Sequence, residues 1–214
     1  MATLLLRGAR ITLRPWVDAD LAPFAELNAD PEVMRHLVKP LSRAESDALA
    51  ARIRGHLDSH GYGLWALDVP GLGFSGFVGV STVVPFELPL PGIEPAPREI
   101  GWRLKRAAWG HGYATEAARL ALAHAFDAAG LAQVVSFTAV RNLASQRVMQ
   151  RIGLTRRGEF DHPRLADGHP LRPHVLYAKD APGARPAPGG PVRAAAAATA
   201  PPTGAPTRHE VRAR

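Results

Sequence analysis

The chain has 214 residues, of which 46% are hydrophobic and 21% charged, with a formal net charge of +7 and no cysteine. The absence of cysteine excludes disulfides, thiolate metal sites and a cysteine nucleophile. No apolar run reaches the ~18 residues that a membrane span needs, and Arg7 and Arg10 interrupt the first leucines where a signal peptide would be continuously apolar. We therefore expect a protein of the reducing cytoplasm with no membrane partner.

Residues 181–214 differ in composition from the rest of the chain. They hold seven prolines and the run Ala194–Ala198 but few large apolar side chains. Burial in such a segment cannot offset its ordering entropy, so a disordered tail is predicted. The tail carries a net charge of +4, which leaves +3 for residues 1–180. The basic balance is therefore largely a property of the tail, and nucleic acid is not an expected partner of the folded part.

The first half of the chain predicts a strand, three helices and a hairpin. Asp18 is suited to cap the first helix, and Ser42 with Glu45 forms a capping box for a long third helix. In chain order, the predicted elements are a strand over Leu4–Leu13, helices over Asp18–Leu27, from Asp30-Pro31 and from Ser42 to about His60, strands over Gly63–Val69 and Phe74–Val84, and the proline-rich loop Pro85–Arg98.

Residues 99–117, with the sequence EIGWRLKRAAWGHGYATEA, predict a strand, a tight turn and a helix that begins near Tyr113. Gly110 and Gly112 let the backbone of the turn approach a phosphate without interference from a Cβ atom. The first N–H groups of the helix have no partner inside it and point at the same place. The segment therefore predicts a pyrophosphate site.

Two common phosphate-binding motifs do not match this turn. A dinucleotide fingerprint needs a third glycine where this chain has Thr115, and a nucleoside-triphosphate loop needs Gly-Lys-Ser/Thr at its end. The basic residues Lys105 and Arg106 instead precede the glycines. They either add positive charge near the phosphates or are solvated surface bases.

A second strand–turn–helix unit follows. Val134–Val140 has the β-branched content of a buried strand, Asn142 and Ser145 follow it, and the helical stretch ends at Gly153. Two strands joined through a helix most naturally lie parallel. Two further antiparallel strands are predicted over Thr155–His162 and Pro173–Lys179.

Together, W-G-H-G-Y-A-T-E-A and N-x-x-S-x-x-V-M-x-R-I-G-L resemble motifs of the GCN5-related N-acetyltransferases (GNAT), and more closely those of the RimJ/RimL-like branch. The resemblance covers about residues 3–180 and implies a GNAT domain over residues 1–180. It implies an α/β mixed sheet of six to seven strands with four helices, in which the two central strands are parallel and splay apart.

The resemblance also implies acetyl-CoA as a co-substrate and assigns residues to it. Backbone amides of the turn would hold the pyrophosphate, the strand before it would hydrogen-bond the pantetheine arm, and Asn142 would contact that arm or simply cap its helix. The implied cofactor-binding residues are Trp102, Leu104, Trp109, Gly110, His111, Gly112, Tyr113, Ala114, Thr115, Asn142 and Ser145.

Two side chains are expected to take part in catalysis. Glu99 is the best candidate for the base that removes a proton from an attacking ammonium, although it could be a rim carboxylate. Many relatives carry a tyrosine as the acid where this chain has Met149, so the acid role falls to Ser145, to water or to no group. His162 and His174 are expected to contact the substrate or to act as a base, and no metal site is expected.

The sequence thus predicts an N-acetyltransferase that transfers the acetyl group of acetyl-CoA to a primary amine in a ternary complex. A non-catalytic acyl-CoA sensor and a ribosome- or RNA-associating module acting through its tail are alternatives. The acceptor, either a protein N-terminus or a small-molecule amine, stays open. A homodimer also stays open.

Overall fold

In a computed structural model, the chain forms one sheet flanked by helices on both faces. The structure describes residues 5–83, 86–88, 90 and 92–184, but not the side chains of residues 82 and 83. The strands are β1 (Leu6–Arg7), β2 (Thr12–Arg14), β3 (Leu64–Val69), β4 (Gly73–Val83), β5 (Arg98–Leu104), β6 (Gln133–Ala139), β7 (Thr155–Asp161) and β8 (Pro173–Asp180). Their order in the sheet is β1-β2-β3-β4-β5-β6-β8-β7.

The helices are α1 (Leu21–Ala29), α2 (Pro31–Met34), α3 (Arg43–His60), α4 (Tyr113–Asp127) and α5 (Leu143–Arg151), with short 3-10 turns at Asp18–Asp20 and Arg106–Ala108. The predicted capping box is present, because Ser42 Oγ accepts from the Glu45 N–H and the Glu45 carboxylate accepts from the Ser42 N–H. The long helix ends at Gly61 in the left-handed conformation. No helix among the described residues is long and apolar enough to cross a membrane.

The pairing between β5 and β6 is short, and the predicted splay of the two central strands is confirmed. These strands are parallel and pair only at Arg98–Val134 and Glu99–Val135. Beyond Glu99, β5 pairs with β4 on one edge alone, and β6 pairs with β8 as far as Ala139. A gap therefore opens in the middle of the sheet, and every other neighbouring pair in the sheet is antiparallel.

The predicted GNAT fold is confirmed, with eight strands and five α-helices among the described residues rather than six or seven and four. The predicted first strand over Leu4–Leu13 is instead a small hairpin, in which the Gly8 N–H donates to the Ile11 carbonyl and Leu6 pairs with Leu13. The short helix predicted from Asp30-Pro31 is confirmed as α2. Residues 185–214, which make up most of the predicted tail, lie outside the described residues, as do four positions between residues 84 and 91.

Two apolar layers hold the helices on the sheet. The layer under α4 and α5 is formed by alternate residues of the strands, including Trp65, Val78 and Ile100. The opposite layer, under α1 and α3, is built around Phe24. Phe24 packs edge-on against Trp16 and Phe77, with ring centroids 4.8 Å and 5.9 Å apart. This second layer fixes α1 and α2 beside the gap in the sheet.

Replacing Phe24 with alanine is expected to destabilise the protein by about 3–5 kcal/mol, because the side chain is fully buried and leaves a cavity among three aromatic rings. Urea denaturation followed by circular dichroism measures the change. Val17→Ala, at a position that is 49% exposed, is the control and should change the free energy of unfolding by less than about 0.5 kcal/mol. Equal effects of the two substitutions would contradict this account of the core.

Candidate active site

A cleft of about 510 Å³ occupies the gap between β5 and β6. Besides residues of β3, β4, β5 and β6, its lining comes from the turn before α4 with the start of that helix, from α5, and from residues 32–37 in and after α2. Because successive side chains of a strand point to opposite faces of the sheet, β5 contributes to both sides of the cleft. Ile100, Trp102 and Leu104 face the α4 side. Glu99, Gly101 and Arg103 face the α1–α2 side.

The turn before α4 presents a row of free backbone donors. Gly110 and Gly112 have φ angles of 80° and 81°, a conformation that side-chain-bearing residues rarely adopt. No acceptor within the described residues meets the N–H groups of residues 110–115, and the first helical bond runs from Glu116 to Gly112. The positive end of the helix dipole lies at the same point. This geometry fits a bound pyrophosphate, and an added Cβ at Gly110 would project into open space.

Arg10 braces this turn, a contact that sequence reasoning missed. Its guanidinium pairs with the Glu116 carboxylate at 2.8 Å and donates to the His111 carbonyl at 2.9 Å. The Glu116 carboxylate also accepts from the Arg10 backbone N–H. The β1–β2 hairpin and the first turn of α4 are thereby tied together. Nothing in the sequence around Arg10 indicates that its partner is Glu116, which lies 106 residues further along the chain.

The cations beside the turn are engaged elsewhere. Lys105 donates to the Leu72 carbonyl at 2.7 Å, and Arg106 pairs with Asp30 at 2.9 Å. They therefore pin the end of β5 to its neighbours. These contacts favour a structural role for Lys105 and Arg106 over a role as positive charges near the phosphates.

The two tryptophans assigned to the cofactor both line the cleft, together with Leu104. The Trp109 indole N–H donates to the Leu104 carbonyl at 2.8 Å, and its ring is 38% exposed. Tyr113, Ala114 and Thr115 also line the cleft. His111 does not: its ring is exposed and stacks on Tyr113 at 5.3 Å, so only its backbone belongs to the turn.

Asn142 and Ser145 form one hydrogen-bonded unit at the start of α5. Asn142 Oδ1 accepts from the Ser145 N–H at 3.2 Å and so caps the helix. Its amide nitrogen donates to Thr138 Oγ1 at 2.9 Å and to Ser145 Oγ at 3.0 Å. Since Ser145 Oγ is the acceptor in that bond, its own proton is available to a group in the cleft.

Met149 is buried and also lines the cleft, so an apolar thioether stands where many relatives place an acidic hydroxyl. The hydroxyl of Tyr177 lies on the far side of α5, where it bonds Gln146 and Gln150. Tyr177 does not line the cleft and offers no replacement. Tyr113, Thr115 and Ser145 are the hydroxyl-bearing lining residues in the first turns of α4 and α5.

Glu99 lies at the last paired position of β5, where the gap opens. Its side chain forms no hydrogen bond or ion pair with any other described residue, and it lines the cleft. Withdrawal from water raises the pKa of the Glu99 carboxyl to about 7. A carboxyl with this pKa exists in both protonation states near neutral pH, as a proton acceptor requires. The alternative of a rim carboxylate is not favoured, because such a group would be fully hydrated.

His162 and His174 do not line the cleft. They lie behind Phe137, with ring centroids 6.1 Å and 6.0 Å from it, and stand 4.8 Å from each other. Burial lowers the pKa of both imidazoles, which favours their neutral form. The structure thus places these two residues in an aromatic cluster that backs the wall of the cleft, because β7 and β8 pair at the edge of the sheet rather than at the gap.

The α1–α2 side of the cleft holds Arg103, a residue that the sequence did not single out. Its guanidinium donates to Asn28 Oδ1 and lies 5.3 Å from the centre of the Phe77 ring. Asn28 is fully buried and donates in turn to Ser46 Oγ at 2.9 Å. Burial lowers the pKa of Arg103 to about 10, which leaves it charged at neutral pH.

The described residues contain no group of three or more His, Cys, Asp or Glu side chains placed to hold a metal ion. The groups available at the cleft include free backbone N–H donors, the desolvated Glu99 carboxyl, the Ser145 hydroxyl and the Arg103 guanidinium. Backbone donors lie on one side of the sheet gap and the carboxyl lies where the two sides meet.

Comparison with known proteins identifies the family and the fold. Residues 10–155 match the family described as the acetyltransferase (GNAT) domain. A curated relative from Aspergillus fumigatus, FsC-acetyl coenzyme A-N(2)-transacetylase, is 32% identical over 155 residues, which span 70% of this chain and 64% of that protein. The match thus covers less than two thirds of the relative's own length.

Solved structures share the fold. An acetyltransferase from Agrobacterium tumefaciens is 26% identical, with a TM-score of 0.64 over 84% of this chain and 95% of that one. RimL, the ribosomal L7/L12 alpha-N-protein acetyltransferase in complex with coenzyme A, has a TM-score of 0.64 over 83% of this chain and 98% of its own, but at 18% identity it shows the fold alone. The family match over residues 10–155 establishes that the chain belongs to the GNAT acetyltransferase family.

Proposed function

We propose that this acyltransferase moves the acetyl group of acetyl-CoA to a primary amine, either a protein N-terminus or an amine of a small molecule, by direct attack in a ternary complex. The observation that carries the proposal is the cleft itself, which joins a row of free backbone donors to the partnerless, desolvated Glu99. The name of the Aspergillus relative, FsC-acetyl coenzyme A-N(2)-transacetylase, supports the choice of donor. RimL, in complex with coenzyme A, supports the same choice.

The amides of residues 110–115 would hold the pyrophosphate, and Trp102, Trp109 and Asn142 would line the path of the pantetheine arm. Acetyl-CoA supplies an acetyl group already activated as a thioester. The exposed edge of β5 beyond Glu99 has backbone groups that β6 does not pair, and these are suited to bonding an extended ligand.

Glu99 would accept the proton that the attacking amine loses as its nitrogen bonds the acetyl carbon and the carbon–sulfur bond breaks. Ser145 would donate its hydroxyl hydrogen bond to the departing sulfur, because its own oxygen is already an acceptor of the Asn142 amide. The chain has no cysteine, so an acyl-cysteine route is closed. The RimJ/RimL-like branch, the cytoplasmic location and a homodimer stay predictions from the sequence.

Replacing Gly112 with glutamate is expected to weaken acetyl-CoA binding by about a hundredfold or more, equivalent to about 2.7 kcal/mol, because a carboxylate would enter the anion cradle. Calorimetry on the purified variant measures the affinity. Gly130→Glu is the matched control: it places the same side chain, at a similar positive φ of 65°, beyond the other end of α4. Binding that survives in the Gly112 variant, or is lost equally in the control, would refute the proposed cradle.

Replacing Glu99 with glutamine is expected to lower kcat/KM by about 10²–10⁴ and to remove an ascending limb near pH 7 from its pH profile. The sign follows from the raised pKa: the carboxyl is protonated and inactive below about pH 7 and is a competent base above it. Because the desolvated charge is unfavourable in the folded state, the variant should also be more heat-stable than the wild type above pH 7.

Glu26→Gln, at an exposed position of α1, is the control for the Glu99 substitution and should leave the pH profile unchanged. Steady-state rates between pH 5.5 and 9, a range of about 1.5–2 units around the pKa, give the profile. A Glu99→Gln enzyme with an unchanged ascending limb would remove Glu99 from the role of base.

Replacing Ser145 with alanine is expected to lower kcat by about tenfold while acetyl-CoA affinity changes little, since one hydrogen bond to the departing sulfur is lost. Ser59→Ala, which removes an exposed hydroxyl bonded within α3, is the control. Rapid assay of coenzyme A release with both variants distinguishes them. A Ser145 variant with full kcat would show that the coenzyme A thiolate departs without a hydrogen bond from Ser145.

A further inference from the structure

Arg103 is a cation inside the cleft whose partners are all neutral. Its guanidinium bonds the Asn28 amide oxygen and lies over the Phe77 ring, and it forms no ion pair with any carboxylate of the described residues. One hydrogen bond leaves most of its five N–H donors without a protein partner in that part of the chain. A partly desolvated, unpaired charge is costly in a folded protein, which favours an external anion as its complement.

The carboxylates nearest to this end of the cleft are already committed. Glu32, which lines the cleft, pairs with Arg35, and Asp30 pairs with Arg106 while it caps α2. Neither acid is therefore available to neutralise Arg103. The two ion pairs also hold the rim of the cleft in place around it.

Glu99 cannot serve as the missing partner, because Arg103 lies four positions further along the strand. At a rise of about 3.3 Å per residue, their α-carbons are about 13 Å apart on the same face of β5. Glu99 and Arg103 therefore mark two separate points along one side of the cleft, one suited to a proton and the other to an anion.

Gly101 leaves the space between these two points open. It lies on the same face of β5, lines the cleft, and an added Cβ would meet no atom within 4 Å. Its backbone φ lies outside the left-handed region, so local conformation does not require a glycine here. An open floor between a carboxyl and a guanidinium is a shape that an elongated ligand would fill.

We propose that the amine acceptor also carries an anionic group, a carboxylate or a phosphate, which Arg103 binds while the amine lies at Glu99 and the acceptor crosses Gly101. This inference rests on the proposed function and names the class of its second substrate. A guanidinium binds either oxyanion through paired hydrogen bonds, so the two share one recognition chemistry. Asn28, held by Ser46, is a positioning residue for Arg103.

The test measures kcat/KM for two matched acceptor series with acetyl-CoA. The first series is oligoglycines of increasing length, each as the free acid and as the carboxamide. The second is aminoalkyl phosphates of increasing length against the corresponding amino alcohols. The wild type should prefer the anionic member of at least one series by about tenfold to a hundredfold, with an optimum at an intermediate length. The series that shows the preference identifies the anion.

Arg103→Gln should abolish this preference by raising KM for the anionic acceptor, while the neutral counterpart is used as before. Arg52→Gln, an exposed arginine of α3 outside the cleft, is the charge-matched control and should keep the preference. Should Arg103→Gln fold poorly, Gly101→Val gives a second test, because its side chain enters open space and would obstruct the acceptor while the fold is kept.

Acetyl-CoA affinity, measured by calorimetry on the same proteins, distinguishes a failure of the proposed function from a failure of the anionic-acceptor proposal. A wild type that does not bind acetyl-CoA refutes the proposed function itself. A wild type that binds acetyl-CoA but treats anionic and neutral acceptors alike in both series, including use of neither, overturns the anionic acceptor alone. A preference that persists in Arg103→Gln or survives Gly101→Val also overturns it.

Discussion

The early end of pairing between β5 and β6 is the constraint on which the rest of the molecule depends. Backbone N–H and C=O groups inside a protein are almost always paired, yet β5 beyond Glu99 has a partner strand on one edge only. Antiparallel pairing on the other edge of each strand stabilises this opening: β5 pairs with β4, and β6 pairs with β8. The gap can therefore exist without a loss of cohesion, and the cleft lies where the backbone has bonding capacity left.

The helices are arranged around that gap in a way that divides the chemistry. On one face, α4 and α5 begin at the cleft, so their amino ends bring free N–H groups, Asn142 and Ser145 to it. On the other face, α1 and α2 are fixed by the Phe24 cluster, and they bring Asn28 to Arg103 and Glu32 to the cleft. Glu99 stands between them, at the last paired residue, and its withdrawal from water is what raises its pKa.

Local signals made much of this predictable. The Ser42 capping box, the helix start after Gly112 and the cap at Asn142 depend on neighbours three or four residues away, and the structure has all three. Contacts between distant segments carried no such signal. The Arg10–Glu116 brace and the Arg103–Asn28 bond each join residues that are far apart in sequence, and nothing in the sequence around either arginine indicates its partner. His162 and His174 were expected at the substrate for their chemistry, but strand order placed them behind Phe137.

The turn before α4 presents main-chain N–H groups to the cleft, whereas the opposite side is lined by side chains of β4, β5 and α2. A main-chain surface is insensitive to most substitutions, and a side-chain surface changes with each one. Under the proposed function, the two ligands would be recognised by parts of the protein that can diverge at different rates. Directed evolution toward new acceptors should accordingly concentrate its libraries on Val33, His36, Phe77 and Arg103, where acceptor range can be altered while the turn at Gly110 and Gly112 is kept intact.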